Sequence, residues 1–190
     1  MKFDIVIAGV GGQGVLSISA VIAAAALDQN IQVKQSEVHG MSQRGGAVLS
    51  HLRLSSDPIG GDTVSRGCAD LILGMEPLES LRYLEYLSPD GRLISAMNPV
   101  RNIPDYPPLE DVHRTLQSVP GALLVDADRL AREQGSALAV NMVMVGAASN
   151  RIPISPEVLE KTIRAVFLTK GTRVVEINIS AFRAGRNWQQ

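Results

Sequence analysis

An α/β fold with a mixed, mostly parallel sheet and a Rossmann-like first βα unit is predicted by three features of this sequence. Ile5-Val6-Ile7-Ala8 runs apolar into Gly9-Val10-Gly11-Gly12-Gln13-Gly14 and opens onto a second apolar stretch, Val15 to Leu27, in the order strand, tight turn, helix. Strand-like and helix-like periodicities then alternate along the chain. Between the second strand and the third, Val38 to Gly46 is too short for a crossover helix, so the third strand has to return antiparallel.

At 190 residues with 45% apolar content the chain is expected to form one domain over residues 1–190, and no internal repeat or linker-like tract interrupts it. A net charge of -1 without a dense Lys/Arg block argues against nucleic acid or an anionic membrane as partner. Lys2 ahead of an apolar start and the small residues Ala23 to Ala26 resemble a secretory signal, but Asp4 and the glycine turn break that pattern, and a cytoplasmic location is expected. The single cysteine, Cys68, can supply neither an intrachain disulfide nor a four-cysteine cluster, and is expected as a buried small hydrophobe.

Taken in order, the second strand is Ile31 to Glu37 and the third Ala47 to Leu54, with His51 inside it as a packing or hydrogen-bonding residue. Asp57-Pro58-Ile59-Gly60-Gly61 is a turn, and Ala69 to Gly74 is a buried strand. Glu76-Pro77 opens a helix whose stripe runs through Leu78, Leu81, Tyr83, Leu84 and Leu87 until Ser88-Pro89-Asp90-Gly91 ends it, and Arg92 to Ala96 is the next strand. Asn98 to Pro108 holds Pro99, Pro104, Pro107 and Pro108, too many for helix or ladder, so this is a surface excursion offering Ile103 and Tyr106 to a partner. Ala122 to Val125 is a strand and Asp126 to Gln134 a helix closed by Gly135. Asn141 to Ser149 is a helix of small residues, Pro153 to Phe167 a helix with Ser155 as N-cap, and Val174 to Ala184 a last helix.

Because the first two strands end where the third begins, the two glycine-rich loops should face each other at the carboxyl edge of the sheet, where α/β proteins bind ligands. The candidate site is therefore Gly9, Gly11, Gly12, Gln13 and Gly14 with Glu37, His39, Ser42, Gln43, Arg44, Gly45 and Gly46. Small residues at Gly9, Gly11 and Gly14 let an anion approach the backbone and the positive end of a helix dipole, or else serve only to pack a tight turn. Glu37 lies roughly twenty positions beyond the third glycine, where a dinucleotide-binding fold holds a ribose hydroxyl. Arg44 carries a planar donor fork suited to phosphate or carboxylate. His39 is a candidate proton donor or anion ligand, with a structural imidazole as the plainer alternative.

With both loops written out, Gly9 to Gly14 and Glu37-Val38-His39-Gly40-Met41-Ser42-Gln43-Arg44-Gly45-Gly46, the chain resembles the small gamma-type subunits and domains of 2-oxoacid:ferredoxin oxidoreductases, and among them the indolepyruvate branch. Ser50-His51-Leu52-Arg53, Ala69-Asp70, Glu76-Pro77-Leu78-Glu79, Asn178 and Ala181-Phe182 extend the resemblance over nearly the whole chain. It implies a three-layer αβα sandwich like domain III of pyruvate:ferredoxin oxidoreductase, paired with a large subunit that carries thiamine diphosphate, Mg and Fe–S clusters. That complex decarboxylates an aryl pyruvate, passes the acyl group to coenzyme A and reduces ferredoxin, with coenzyme A a ligand the two subunits share. The chain has no Gly-Asp-Gly segment followed by paired asparagines, so no thiamine diphosphate site and no catalytic residue is expected in it. A stand-alone nucleotide-binding module, whether small dehydrogenase or sensor, explains the first loop and Glu37 but not the second loop, and a scaffold subunit with an empty turn explains the glycines by packing alone.

Overall fold

The structure, a computed structural model, describes residues 1–40 and 45–188. Its centre is a six-stranded sheet of β1 (Lys2–Val10), β2 (Gln32–His39), β3 (Ala47–Ser55), β4 (Ala69–Gly74), β5 (Leu87–Ala96) and β6 (Leu123–Val125), in the spatial order β2-β3-β1-β4-β5-β6. As expected from the short connection, β3 is antiparallel, and it pairs with both β2 and β1. The remaining pairs, β1 with β4, β4 with β5 and β5 with β6, are parallel.

Among the described residues there are seven α-helices, α1 (Val15–Asp28), α2 (Pro77–Arg82), α3 (Leu109–Gln117), α4 (Ala127–Glu133), α5 (Val140–Ala148), α6 (Pro156–Phe167) and α7 (Thr172–Arg186), besides short 3-10 turns. Period-two alternation sends Ile5, Ile7, Leu71, Leu73 and Ile94 to one face of the sheet, where α1, α5, α6 and α7 bury their apolar sides. Val6, Ile72, Leu93 and Leu124 point the other way, to a smaller core closed by Val112 and Leu116 of α3 and by the residues around α2. The result is an αβα sandwich with a thick and a thin helical layer. The central strands β1 and β4 carry near-continuous apolar runs because both their faces are covered, whereas the edge strand β2 is largely polar.

Three expectations need correction. The helix opened by Glu76-Pro77 ends at Arg82, a short 3-10 turn covers Leu84–Tyr86, and Leu87 already belongs to β5. Ser88-Pro89-Asp90-Gly91 is thus part of a strand, because the ladder with β4 slips between Ala69 and Leu71 and the extra residues are absorbed there. Gly91 fits that irregularity: a Cβ on it would stand 2.6 Å from the Ala69 carbonyl oxygen. Next, α3 follows the proline-rich segment where no helix was expected, with Val112 and Leu116 one turn apart on its buried side. Finally, Cys68 is exposed in the turn ahead of β4 rather than buried.

Several residues of the family pattern hold this fold rather than a ligand. Asp4 is buried and faces Arg53 across the β1–β3 ladder, with Arg53 Nε 2.9 Å from its Oδ1. The Asp4 N–H donates to Asp70 Oδ2 at 2.7 Å, and Arg53 also donates to the Gly61 carbonyl at 3.0 Å. This charged cluster closes the amino-terminal end of β1. Phe182 is fully buried, and Asn178 turns its amide onto the Val174 carbonyl one turn back.

Two outcomes test this packing. α5 and α7 cross in backbone contact: a Cβ on Gly146 would lie 1.9 Å from the Phe182 carbonyl oxygen, and one on Gly185 equally close to that of Val143. Gly146→Ala should therefore cost about 1 to 3 kcal/mol in denaturant melts, as overpacked cores do, while Gly60→Ala, with open space around it, stays within about 0.5 kcal/mol. On the thin side, buried His51 accepts the Val64 N–H on Nδ1 at 3.3 Å and packs edge-on to Tyr86, which requires a neutral ring. Burial lowers its pKa, against an opposing pull from Asp62. The unfolded chain then protonates first as pH falls below about 6.5, so the stability this histidine contributes is full above that value and is lost on acidification. His51→Asn, which keeps an acceptor without a charge, should flatten the fall in melting temperature between about pH 6.5 and pH 5 relative to the native chain.

Candidate functional site

The first glycine turn joins β1 to α1 through backbone conformations that side chains resist: φ is 100° at Gly12 and 77° at Gly14, the N-cap of α1. Among the described residues no side chain caps this helix; the Ser17 N–H turns back onto the Gly14 carbonyl at 2.9 Å, which leaves the Val15 and Leu16 N–H groups facing the space in front of the turn. Gly9 is crowded on the opposite side, where a Cβ would come within 2.9 Å of Val15 and 3.0 Å of Met75. Gly14 is crowded too: its Cβ would meet Asn141 Nδ2 at 2.2 Å, and that amide lies 3.4 Å from the Gly14 carbonyl oxygen. Gly9 and Gly14 thus serve packing, the part of the glycine pattern that concerns helix-on-strand contact.

Gln13 ties the turn to the neighbouring strand. Its Oε1 accepts the Val10 N–H and its Nε2 donates to the Met75 carbonyl just beyond β4, both at 2.8 Å, while the Met75 N–H returns a bond to Ala8 at 2.7 Å. Both ends of the Gln13 amide are used within the chain.

The second loop meets the first, as the strand count requires. The Gly11 N–H donates to the Gly46 carbonyl at 2.8 Å and the Gly45 N–H approaches the Gly11 carbonyl at 3.4 Å. Gly45 has a φ of 81°. The contact commits the amide that the glycine pattern would present to a phosphate, so an anion here would have to use the helix N-terminus instead. Ser42, Gln43 and Arg44 lie outside the described residues.

Together the turn, the start of α1 and the ends of β2 and β3 enclose a cleft of about 800 Å³, lined by Gly11, Gly12, Gly14, Leu16, Ser17, Glu37, His39 and Val48 among others. Glu37 is partly buried in it, and His39 is largely exposed at the rim with Nε2 3.8 Å from Glu37 Oε1, an ion pair only when the imidazole is protonated. Because β3 stands between β1 and β2, Glu37 is two strands away from the glycine turn, roughly 10 Å at about 4.8 Å per strand, rather than one as in a dinucleotide-binding fold. Leu16 and Ser17 were not anticipated as lining residues, although their place in the first helical turn follows from the glycine pattern. Nothing in the spacing pointed to Asn141, which arrives from a helix far along the chain.

The proline-rich segment is pinned inward. Tyr106, expected to be available to a partner, donates its hydroxyl to Glu76 Oε1 at 2.5 Å, while Ile103 is exposed. Burial and the bond to Glu76 push the Tyr106 phenol up, so it remains a donor. Among the described residues, no helix is long and apolar enough to cross a membrane.

The family profile of pyruvate ferredoxin/flavodoxin oxidoreductase matches residues 4–188. Indolepyruvate oxidoreductase subunit IorB of Methanothermobacter thermautotrophicus is 36% identical over 97% of this chain and 96% of its own length, and that of Pyrococcus horikoshii is 36% identical over 97% and 94%. The pyruvate oxidoreductase subunit PORC of Thermotoga maritima is similar in structure, with a TM-score of 0.74 at 26% identity over 97% of this chain and 94% of that one. The 2-oxoglutarate:ferredoxin oxidoreductase of Magnetococcus marinus, solved with 2-oxoglutarate, coenzyme A and succinyl-CoA bound, shares the fold with a TM-score of 0.76 at 23% identity, covering 97% of this chain and 30% of that chain. These relatives are 2-oxoacid oxidoreductases or subunits of them, not stand-alone dinucleotide binders, and with its return strand and paired glycine loops this chain belongs to the pyruvate ferredoxin/flavodoxin oxidoreductase family.

Proposed function

We propose that this chain is the small, non-catalytic subunit of an indolepyruvate-type 2-oxoacid:ferredoxin oxidoreductase, a single gamma-type domain whose cleft takes the phosphate-bearing part of coenzyme A. The observation that carries this reading is the cleft itself, where two glycine loops locked by a backbone bond stand beside a helix N-terminus that no described side chain caps. The first-turn N–H groups and the dipole of α1 would meet the anion, and the Ser17 hydroxyl adds a donor at the same turn. Glu37 would accept a ribose hydroxyl from the far wall, and Gln13 would keep the turn in place for both. Arg44, with Ser42 and Gln43, supplies the charge recognition that the helix alone lacks.

In this reading a large partner subunit in the cytoplasm carries thiamine diphosphate, Mg and the Fe–S clusters and passes electrons to ferredoxin. It also supplies the chemistry of decarboxylation. The work left to the small subunit is to hold and orient the acyl acceptor and to exclude water around it.

The isolated chain should be inert toward indolepyruvate with a viologen acceptor, and turnover should appear when the large subunit is added. Activity of the chain alone would refute the subunit assignment. In the reconstituted complex, Arg44→Ala should leave the melting temperature of the chain in place and weaken coenzyme A about ten- to hundredfold, the worth of one hydrogen bond to a charged group. Equal affinity in native and variant complexes, read by titration with coenzyme A, would remove Arg44 from the site.

A further inference from the structure

The segment that leaves β5 has few ways to hold itself in place. Pro99 and Pro104 offer no N–H, and the prolines exclude it from helix and ladder. Its root is fastened by the Met97 N–H on the Val125 carbonyl at 2.9 Å and by Asn98 Oδ1, which accepts the Asp128 N–H at 3.2 Å. Beyond the root, two anchors come from one buried side chain. Glu76, 1% exposed, accepts the Val100 N–H at 3.3 Å and the Tyr106 hydroxyl at 2.5 Å on Oε1, while its Oε2 caps α2 by accepting the Glu79 N–H at 2.8 Å.

Between those two anchors sits Asn102. Its Nδ2 donates to the Gly45 carbonyl at 2.7 Å, and its Cβ lies 3.8 Å from where a Cβ on Gly45 would stand. Gly45 and Gly46 in turn bond to Gly11. A chain of contacts therefore runs from a carboxylate on the carboxyl end of β4, through the proline-rich segment, to the second glycine loop and across to the first. Met75, the residue before Glu76, holds Gln13 of the first loop on its carbonyl. One dipeptide beyond β4 thus fastens both loops.

We propose that Glu76 is a positioning residue for the cleft, setting where Gly45 and Gly46 stand against Gly11 by anchoring Val100 and Tyr106 on either side of Asn102. A carboxyl side chain suits the task, since its two oxygens accept from three donors at once. Prolines stiffen the strap, so a bond at Tyr106 is felt at Asn102. The proposal rests on the coenzyme A reading only for its kinetic consequence.

Glu76→Ala would uncap α2 and bury unpaired donors, so the test removes the Tyr106 anchor and the Asn102 contact instead. In the full chain, amide hydrogen exchange is followed at Gly11, with Val6 and Ile72 in the centre of the sheet as controls. Asn102→Ala should speed exchange at Gly11 about tenfold, Tyr106→Phe should speed it less, and the double variant should add little to Asn102→Ala, because both act along one path. Gly11 exchange within about twofold of native in either single variant would overturn the proposal, as would equal acceleration at Val6 and Ile72, which reports general loosening. In the reconstituted complex, Asn102→Ala should raise KM for coenzyme A about three- to tenfold with kcat held. Faster exchange at Gly11 with an unmoved KM supports the strap and refutes the cleft as the coenzyme A site, so the two readings fail separately.

Discussion

Too few residues separate His39 from Ala47 for the chain to cross the sheet, so β3 has to run back between β1 and β2, and the rest of the architecture follows from that return. It brings the second glycine loop to the same sheet edge as the first, where the Gly11 and Gly46 main chains meet. It also pushes Glu37 out to the edge strand, which widens the cleft beyond what a dinucleotide-binding turn presents. A charged side chain on the inserted strand, Arg53, finds buried Asp4 on β1 and closes the far end. The return strand thus opens one end of the sheet and seals the other.

Much of this was legible because the deciding residues are local. Gly11 to Gly14 and the short reach from Val38 to Gly46 fix a turn and a strand direction without reference to anything distant, and Ser155 and Pro156 mark the start of α6 by cap chemistry alone. The misreadings arose where a long-range contact overrode a local cue. Pro89 and Gly91 look like a terminator, yet the ladder with Ala69 takes them into β5 across an irregularity that only the partner strand reveals. Tyr106 looks like a side chain for a partner, but buried Glu76, thirty residues earlier, claims it.

The site divides in the same way. That two glycine loops face one another could be counted from strand directions, and Leu16 and Ser17 follow from the helix phase. The division of tasks among the glycines could not, because it depends on what each would touch: Asn141 beside Gly14, Met75 beside Gly9, the Gly46 carbonyl on Gly11. Gln13 is the clearest example. A polar residue in a phosphate-type loop suggests a ligand contact, whereas its amide spans from Val10 to Met75 and belongs to the frame.

Gly146 and Gly185 let α5 and α7 touch main chain to main chain, with no side chains between them to repack. Helices in such contact cannot ratchet past each other through rotamer changes, which gives the thick layer a stiff keel under the centre of the sheet. Adjustment on docking then falls to the opposite margin, where β2 is paired on one side only and carries Val38 outward beside the cleft. A partner that presses on that margin would reshape the mouth of the cleft while the keel stays fixed.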